Sequence, residues 1–225
     1  MKLTRISEKV WISEYEDERD RPALGYVRGR NWSLAVDAGH SQAHLREFYD
    51  ALTQEGLPLP SLTVITHWHW DHSFAMHCLH GLSLAGEKTN EHLKDFIAKR
   101  SPEYDRDFLS WDPSIGKEYR DQEITVVPAD IVYHDALQLD AGDTRIEIFE
   151  AVSPHTDDAT LVFLPEEKIL FLGDSISGVF PTWVADPEKT AALIETIEKS
   201  GAELCIGGHW DPWETEDLLK ELRER

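Results

Sequence analysis

Cysteine is nearly absent from this chain. Cys78 and Cys205 are its only two, far apart and outside any Cys-x-x-Cys spacing, which argues against a disulfide framework. Long apolar runs are missing as well. No stretch approaches the ~20 residues of a membrane helix, and residues 1–9 lack the apolar centre of a signal peptide. No membrane partner is expected, and the cytoplasm is the expected location. Positive charge is also short, with 22 Lys and Arg against 43 Asp and Glu, a formal net charge of −21. Attraction to nucleic-acid phosphates is thereby disfavoured, and no nucleic-acid partner is expected. Neither an internal repeat at solenoid period nor a linker interrupts the chain. A hydrophobic content of 41% and a charged content of 29% are ordinary for a globular protein. One domain over residues 1–225 is the expected organisation.

What is present is a dense run of metal-ligand chemistry. In Thr66-His67-Trp68-His69-Trp70-Asp71-His72, three histidines and a carboxylate fall within six residues. The run directly follows Leu62-Thr63-Val64-Ile65, a β-branched segment behind Pro60 that reads as a buried strand. Residues two apart in an extended segment point the same way, so His67, His69 and Asp71 are expected on one side. Trp68 and Trp70 would then face the core. Imidazole and carboxylate are the usual ligands of zinc and related divalent ions.

The cluster resembles the His-x-His-x-Asp-His signature of the metallo-β-lactamase superfamily. That resemblance implies a further histidine, an aspartate and a last histidine, each at a strand end. His155 follows the alternating segment 145–152, Asp174 ends 168–173, and His209 follows 204–208. The implied fold is α/β: a four-layer αββα sandwich of two mixed β-sheets flanked by helices. The implied ligand sets are His67, His69 and His155 for one ion and Asp71, His72 and His209 for the other, with Asp174 bridging. The implied cofactors are two divalent metal ions, Zn2+ first, with iron and manganese suited to the same oxygen-rich set.

Around these ligands the remaining chain reads as follows. Residues 2–15 are strand material, and 14–21 form a charged, solvated turn. Residues 24–27 and 33–36 make a hairpin, after which Asp37 either supports the site or caps the next helix. Residues 41–55 suit an amphipathic helix with Leu45, Phe48, Tyr49 and Leu52 on one face. Ser73-Phe74-Ala75-Met76 stands where the superfamily is commonly smaller, which suggests an apolar mouth beside the metals. Tyr104, Phe108, Trp111 and Tyr119 are candidates to line a pocket from the segment 87–130, and 125–127 resumes a strand pattern. Asp157 and Asp158 are expected to shape the loop after His155. Asp186 and Pro187 start a clear helix, and 213–225 reads as a terminal one.

The expected function is a dinuclear hydrolase that directs a metal-bridging hydroxide at a small-molecule ester, thioester or lactone. Asp71 would also orient that hydroxide or return a proton to the leaving group. Two divalent ions beside two ionised carboxylates leave the cleft locally positive inside an acidic protein, which suits an anionic or electron-rich substrate. The cysteine common in the second set of true β-lactamases is missing, so the aspartate bridge looks more like thioesterases of the glyoxalase II type, lactonases and phosphodiesterases. A small-molecule phosphodiesterase is the enzymatic alternative. A metal-binding or sensing module without turnover is the alternative from another class, but structural zinc sites favour closed four-ligand shells rich in cysteine.

Overall fold

Two mixed β-sheets stack face to face in the computed structural model, which describes residues 1–224, and helices cover both outer faces. The first sheet uses only the first part of the chain. Strands β1 (Leu3–Arg5), β2 (Val10–Ser13), β3 (Gly25–Arg28) and β4 (Ser33–Val36) run antiparallel. Helix α1 (Gln42–Gln54) then crosses to β5 (Leu62–Val64), which lies parallel to β4. A short helix α2 (Trp70–Ser73) leads to β6 (Leu82–Gly86). Helices α3 (Glu87–Lys99), α4 (Pro102–Leu109) and α5 (Pro113–Glu118) precede β7 (Ile131–Tyr133), and β6 and β7 extend the parallel edge.

The second sheet follows entirely in sequence. It holds β8 (Ala136–Asp140), β9 (Arg145–Glu150), β10 (Thr160–Leu164), β11 (Ile169–Gly173), β12 (Leu204–Gly207) and β13 (Trp213–Glu214), with α6 (Pro187–Ser200) between β11 and β12 and α7 (Thr215–Glu224) last. Only β11 and β12 pair in parallel here. The terminal helix is therefore shorter than 213–225: residues 213–214 pair with β12, and residue 225 lies outside the described residues.

Alternation along the strands builds the layers. Val10, Ile12, Val27, Leu34 and Val36 meet Ile146, Ile148, Val162, Leu164 and Phe171 between the sheets. The opposite face of the first sheet, with Trp11, Tyr26 and Ala35, packs on Leu45, Phe48 and Leu52 of α1 and Leu93 and Phe96 of α3. On the second sheet, Leu161, Phe163, Leu170 and Leu172 meet Leu193 and Ile197 of α6 and Leu218 and Leu222 of α7. This is the expected four-layer αββα arrangement. No helix among the described residues is long and apolar enough to cross a membrane.

Several local expectations change. Residues 125–127 form no strand; Val126 instead joins the helix-side core. Phe74, Ala75 and Met76 are buried in that same core, because the chain winds into a 3-10 helix directly after α2 and turns them away from the mouth. The charged stretch 14–21 is not simply solvated: Arg21 is 2% exposed and ion-paired to Glu118 at 2.8 Å.

Candidate metal centre

The site gathers where strands of both sheets end, as ligand sites in open α/β sheets do. β5 runs through Ile65 and Thr66 to His67 and His69. Helix α2 then turns the chain, so Asp71 does not share the side of His67 and His69. Extended alternation stops at His69, and helical geometry carries Asp71 and His72 to a second group. From the other sheet come His155 after β9, Asp174 after β11 and His209 after β12. All seven expected residues converge.

They do so as two groups: His67, His69 and His155, then Asp71, His72, Asp174 and His209. In the first, His69 Nδ1 lies 3.1 Å from His67 Nε2 and 3.0 Å from His155 Nε2. Zinc with nitrogens at 2.0–2.1 Å in tetrahedral geometry would space its ligands at about 3.3 Å, close to what is seen. In the second, Asp71 Oδ2 lies 3.0 Å from His72 Nε2 and 2.9 Å from His209 Nε2. Asp174 stands between the groups. Its carboxylate is 3.5 Å from His72 Nε2, 3.6 Å from His209 Nε2 and 4.0 Å from His155 Nε2.

The hydrogen bonds behind these rings decide where their lone pairs point. His155 Nδ1 donates to the carbonyl of Gly178 at 2.8 Å, which leaves Nε2 free to accept a cation. His72 Nδ1 likewise bonds Asp37 Oδ2 at 2.8 Å. Asp37 also accepts from Thr66 N and Oγ1 at 2.7 and 2.9 Å, so it supports the site and does not cap α1, whose cap is Ser41. His72 Nε2 and Asp174 Oδ1 are buried with no hydrogen-bond partner. Inward lone pairs and orphaned polar atoms in a buried site are costly unless a cation joins them. The residues therefore fit a metal centre.

Electrostatics separate the two groups. Burial, then the neighbouring His155, push His69 down to about 3, and burial with His72 and His69 holds His67 well below the ordinary value. His67 and His69 are therefore held in the neutral form that ligates. In the second group, burial disfavours charge, but the imidazoles outweigh it and keep Asp71 well below the usual carboxylate range and Asp174 at about 2. Burial likewise opposes charge on His209, yet Asp174 and Asp71 raise it to about 9.

Asp20 was not expected near the site, and Asp158 does more there than shape the loop after His155. Asp20 Oδ2 accepts from Trp70 Nε1 at 2.8 Å, and burial followed by the charge of Asp71 raises Asp20 to about 7. Its place inside a run of charged residues hid it. Asp158 accepts from the backbone N–H of Trp68 at 2.8 Å and so fixes the strand exit between His67 and His69. Of the four aromatic candidates, only Trp111 reaches the cavity beside the site; Phe108 and Tyr119 are core residues and Tyr104 packs against that core. The other cavity walls include Trp68, Trp70, Val179 and Phe180.

Comparison with known proteins agrees with this geometry. The family model described as the metallo-beta-lactamase superfamily matches residues 26–209. A human protein named acyl-coenzyme A thioesterase MBLAC2 (Homo sapiens) is 22% identical, covering 93% of this chain and 81% of its own length. The chicken protein of that name (Gallus gallus) is 25% identical over 93% of this chain and 80% of its length. Among solved structures, a metallo-beta-lactamase from Pontibacter korlensis superposes with a TM-score of 0.71 at 19% identity, covering 100% of this chain and 99% of its own. The DIM-1 metallo-beta-lactamase gives 0.70 at 20% identity, covering 99% and 95%. Two sheets, two convergent ligand groups and a family match across most of the chain lead to one conclusion: this chain belongs to the metallo-β-lactamase superfamily and is one of its hydrolases.

Proposed function

We propose that the chain is a dinuclear metal-dependent hydrolase acting on small thioesters. One observation carries the reading: two converging sets of histidine and aspartate atoms meet at Asp174, with no cysteine among them. His67, His69 and His155 would hold one divalent ion and Asp71, His72 and His209 the other, with Asp174 standing between the two sets. Zinc suits this set first, and iron or manganese second. Bound there, such a pair supplies Lewis acidity and brings the pKa of a water towards neutrality.

The residues of the chain do the rest. Asp37 and the Gly178 carbonyl hold His72 and His155 in the tautomer that ligates. Asp71 stays ionised in its buried setting and orients the attacking water. Water adds to the carbonyl carbon, the C–S bond breaks with its electron pair on sulfur, and the proton lost by the water ends on that sulfur through Asp71. Carboxylic acid and thiol leave. Seven donors for two ions leave positions open for water and substrate, which suits turnover better than metal sensing. The activity in the names of the curated relatives favours thioesters within the ester, thioester and lactone class.

The test is a hydrolysis panel on metal-quantified protein, spanning thioesters, lactones, β-lactams and bis-p-nitrophenyl phosphate. Thioester turnover that chelation removes and added zinc restores is the expected result. Preference for the phosphate diester would instead favour a phosphodiesterase. A His67→Ala variant that folds, loses metal and keeps full turnover would refute metal-dependent catalysis.

A further inference from the structure

Beside the three-histidine group lies a cavity of about 670 Å³, a size typical of small-molecule sites. Its walls are Trp68, Trp70, Trp111, Val179, Phe180 and Pro181, and it reaches His69 and His155. Asp71, His72, Asp174 and His209 do not border it. The cavity therefore opens on one metal group and not the other. Trp70 packs edge-on against Phe180 and Trp111 at ring separations of 5.3 and 5.8 Å, so the walls brace one another. Charge is sparse and balanced: Lys189 and Asp157 are the lining residues of each sign.

We propose that this cavity binds the acyl half of the thioester and selects apolar acyl groups, while the thiol half departs over Asp71 and His209. The assignment rests on the hydrolase reading above. Its first support is the lining. A phosphate-bearing thiol would meet one lysine opposed by one aspartate there, whereas a hydrocarbon or aryl group meets three indoles and a phenyl ring. The second support is direction. The departing sulfur needs a proton, and the carboxylate placed to deliver it belongs to the group away from the cavity. With sulfur towards that group, the acyl chain extends from the carbonyl into the aromatic walls. Val179 of the wall is 46% exposed, and Trp183, 58% exposed, packs edge-on against Phe180 of the wall and lies parallel to the His155 ring. An acyl chain seated against Val179 and Phe180 would cover apolar surface that water now wets.

Two measurements on the metal-loaded protein test this. With coenzyme A as the fixed thiol, kcat/KM should rise about fourfold per added methylene from acetyl to octanoyl, the effect of burying one such group. With octanoyl fixed, shortening the thiol from coenzyme A to N-acetylcysteamine should matter far less. Trp111→Ala and Val179→Asp should each flatten the chain-length slope; the second is exposed enough to leave the core intact. In parallel, S-butyl- and S-octyl-coenzyme A, which cannot be hydrolysed, should bind with the same chain-length preference, read by tryptophan fluorescence. Binding or turnover indifferent to acyl length but sensitive to the thiol would overturn the assignment. Length-dependent binding without any thioester turnover would support the cavity assignment while refuting the thioesterase reading.

Discussion

Gly208 has no room for a side chain. A Cβ placed there would stand 2.5 Å from Asp174 Oδ1 and 2.8 Å from His72 Cε1. Its φ is not in the left-handed range, so space and not backbone freedom sets the requirement. Gly208→Ala should keep the circular dichroism of the fold while lowering bound metal and turnover by about 10–100-fold, as losses of supporting contacts commonly do. Full metal content in that variant would show that the Asp174 carboxylate can move. A different residue-scale effect concerns His44, which accepts from the His40 backbone N–H at 3.2 Å and is fully buried. Burial, with Arg21 and His40 nearby, holds its pKa well below the ordinary value. The unfolded chain takes a proton on this ring below pH ~6.5 and the folded chain does not, so acidification through that range favours unfolding. His44→Asn keeps an acceptor and removes the titration. Between about pH 7.5 and about pH 5 its urea midpoint should fall less than that of the parent. Equal falls would place the acid sensitivity elsewhere. The ligands themselves were legible because metal chemistry concentrates rare residue types at strand ends. Asp20 was not, since one carboxylate bonded to Trp70 among Glu16, Asp17 and Glu18 looks like solvated charge.

Among the elements, α5 is tied down electrostatically. Arg21 binds both carboxylate oxygens of Glu118 at 2.8 and 2.9 Å and reaches Glu47 of α1 at 3.0 Å. Arg21 and Glu118 are 2% and 1% exposed as side chains. Replacing Arg21 with Met would leave the Glu118 charge buried without its partner, at a cost of about 3–5 kcal/mol. Chemical denaturation should read that loss, and Glu118→Gln added to the variant should recover part of it. No recovery would mean that packing, not charge, dominates. The strands and helices of regular period were visible in sequence: the hairpin of β3 and β4, α1, and α6 behind Asp186. The pocket walls were not. Val179 and Phe180 sit in a loop with no periodicity, and Tyr104, Phe108 and Tyr119 share with Trp111 an aromatic character that cannot tell core from cavity. Tertiary placement alone separates them.

At the scale of the whole molecule, the site spans the seam between the sheets. His67, His69, Asp71 and His72 come from the first, and His155, Asp174 and His209 from the second. Ions held there would stabilise only the assembled state, by about 2.7 kcal/mol at a free concentration roughly a hundredfold above Kd. Chelation should therefore lower the melting temperature. In stopped-flow experiments it should speed unfolding, and an unchanged refolding rate would place closure of the seam after the transition state. A slower refolding limb would show that metal is captured early.

The order of the strands along the chain has one more consequence. Every strand of the first sheet precedes residue 134, and every strand of the second follows residue 135. A nascent chain thus holds two donors of the three-histidine set and two of the other before the second sheet exists. Neither half owns a full clasp, so both sets can close only once His209 has been made, and a product truncated before it would lack a member of the second set.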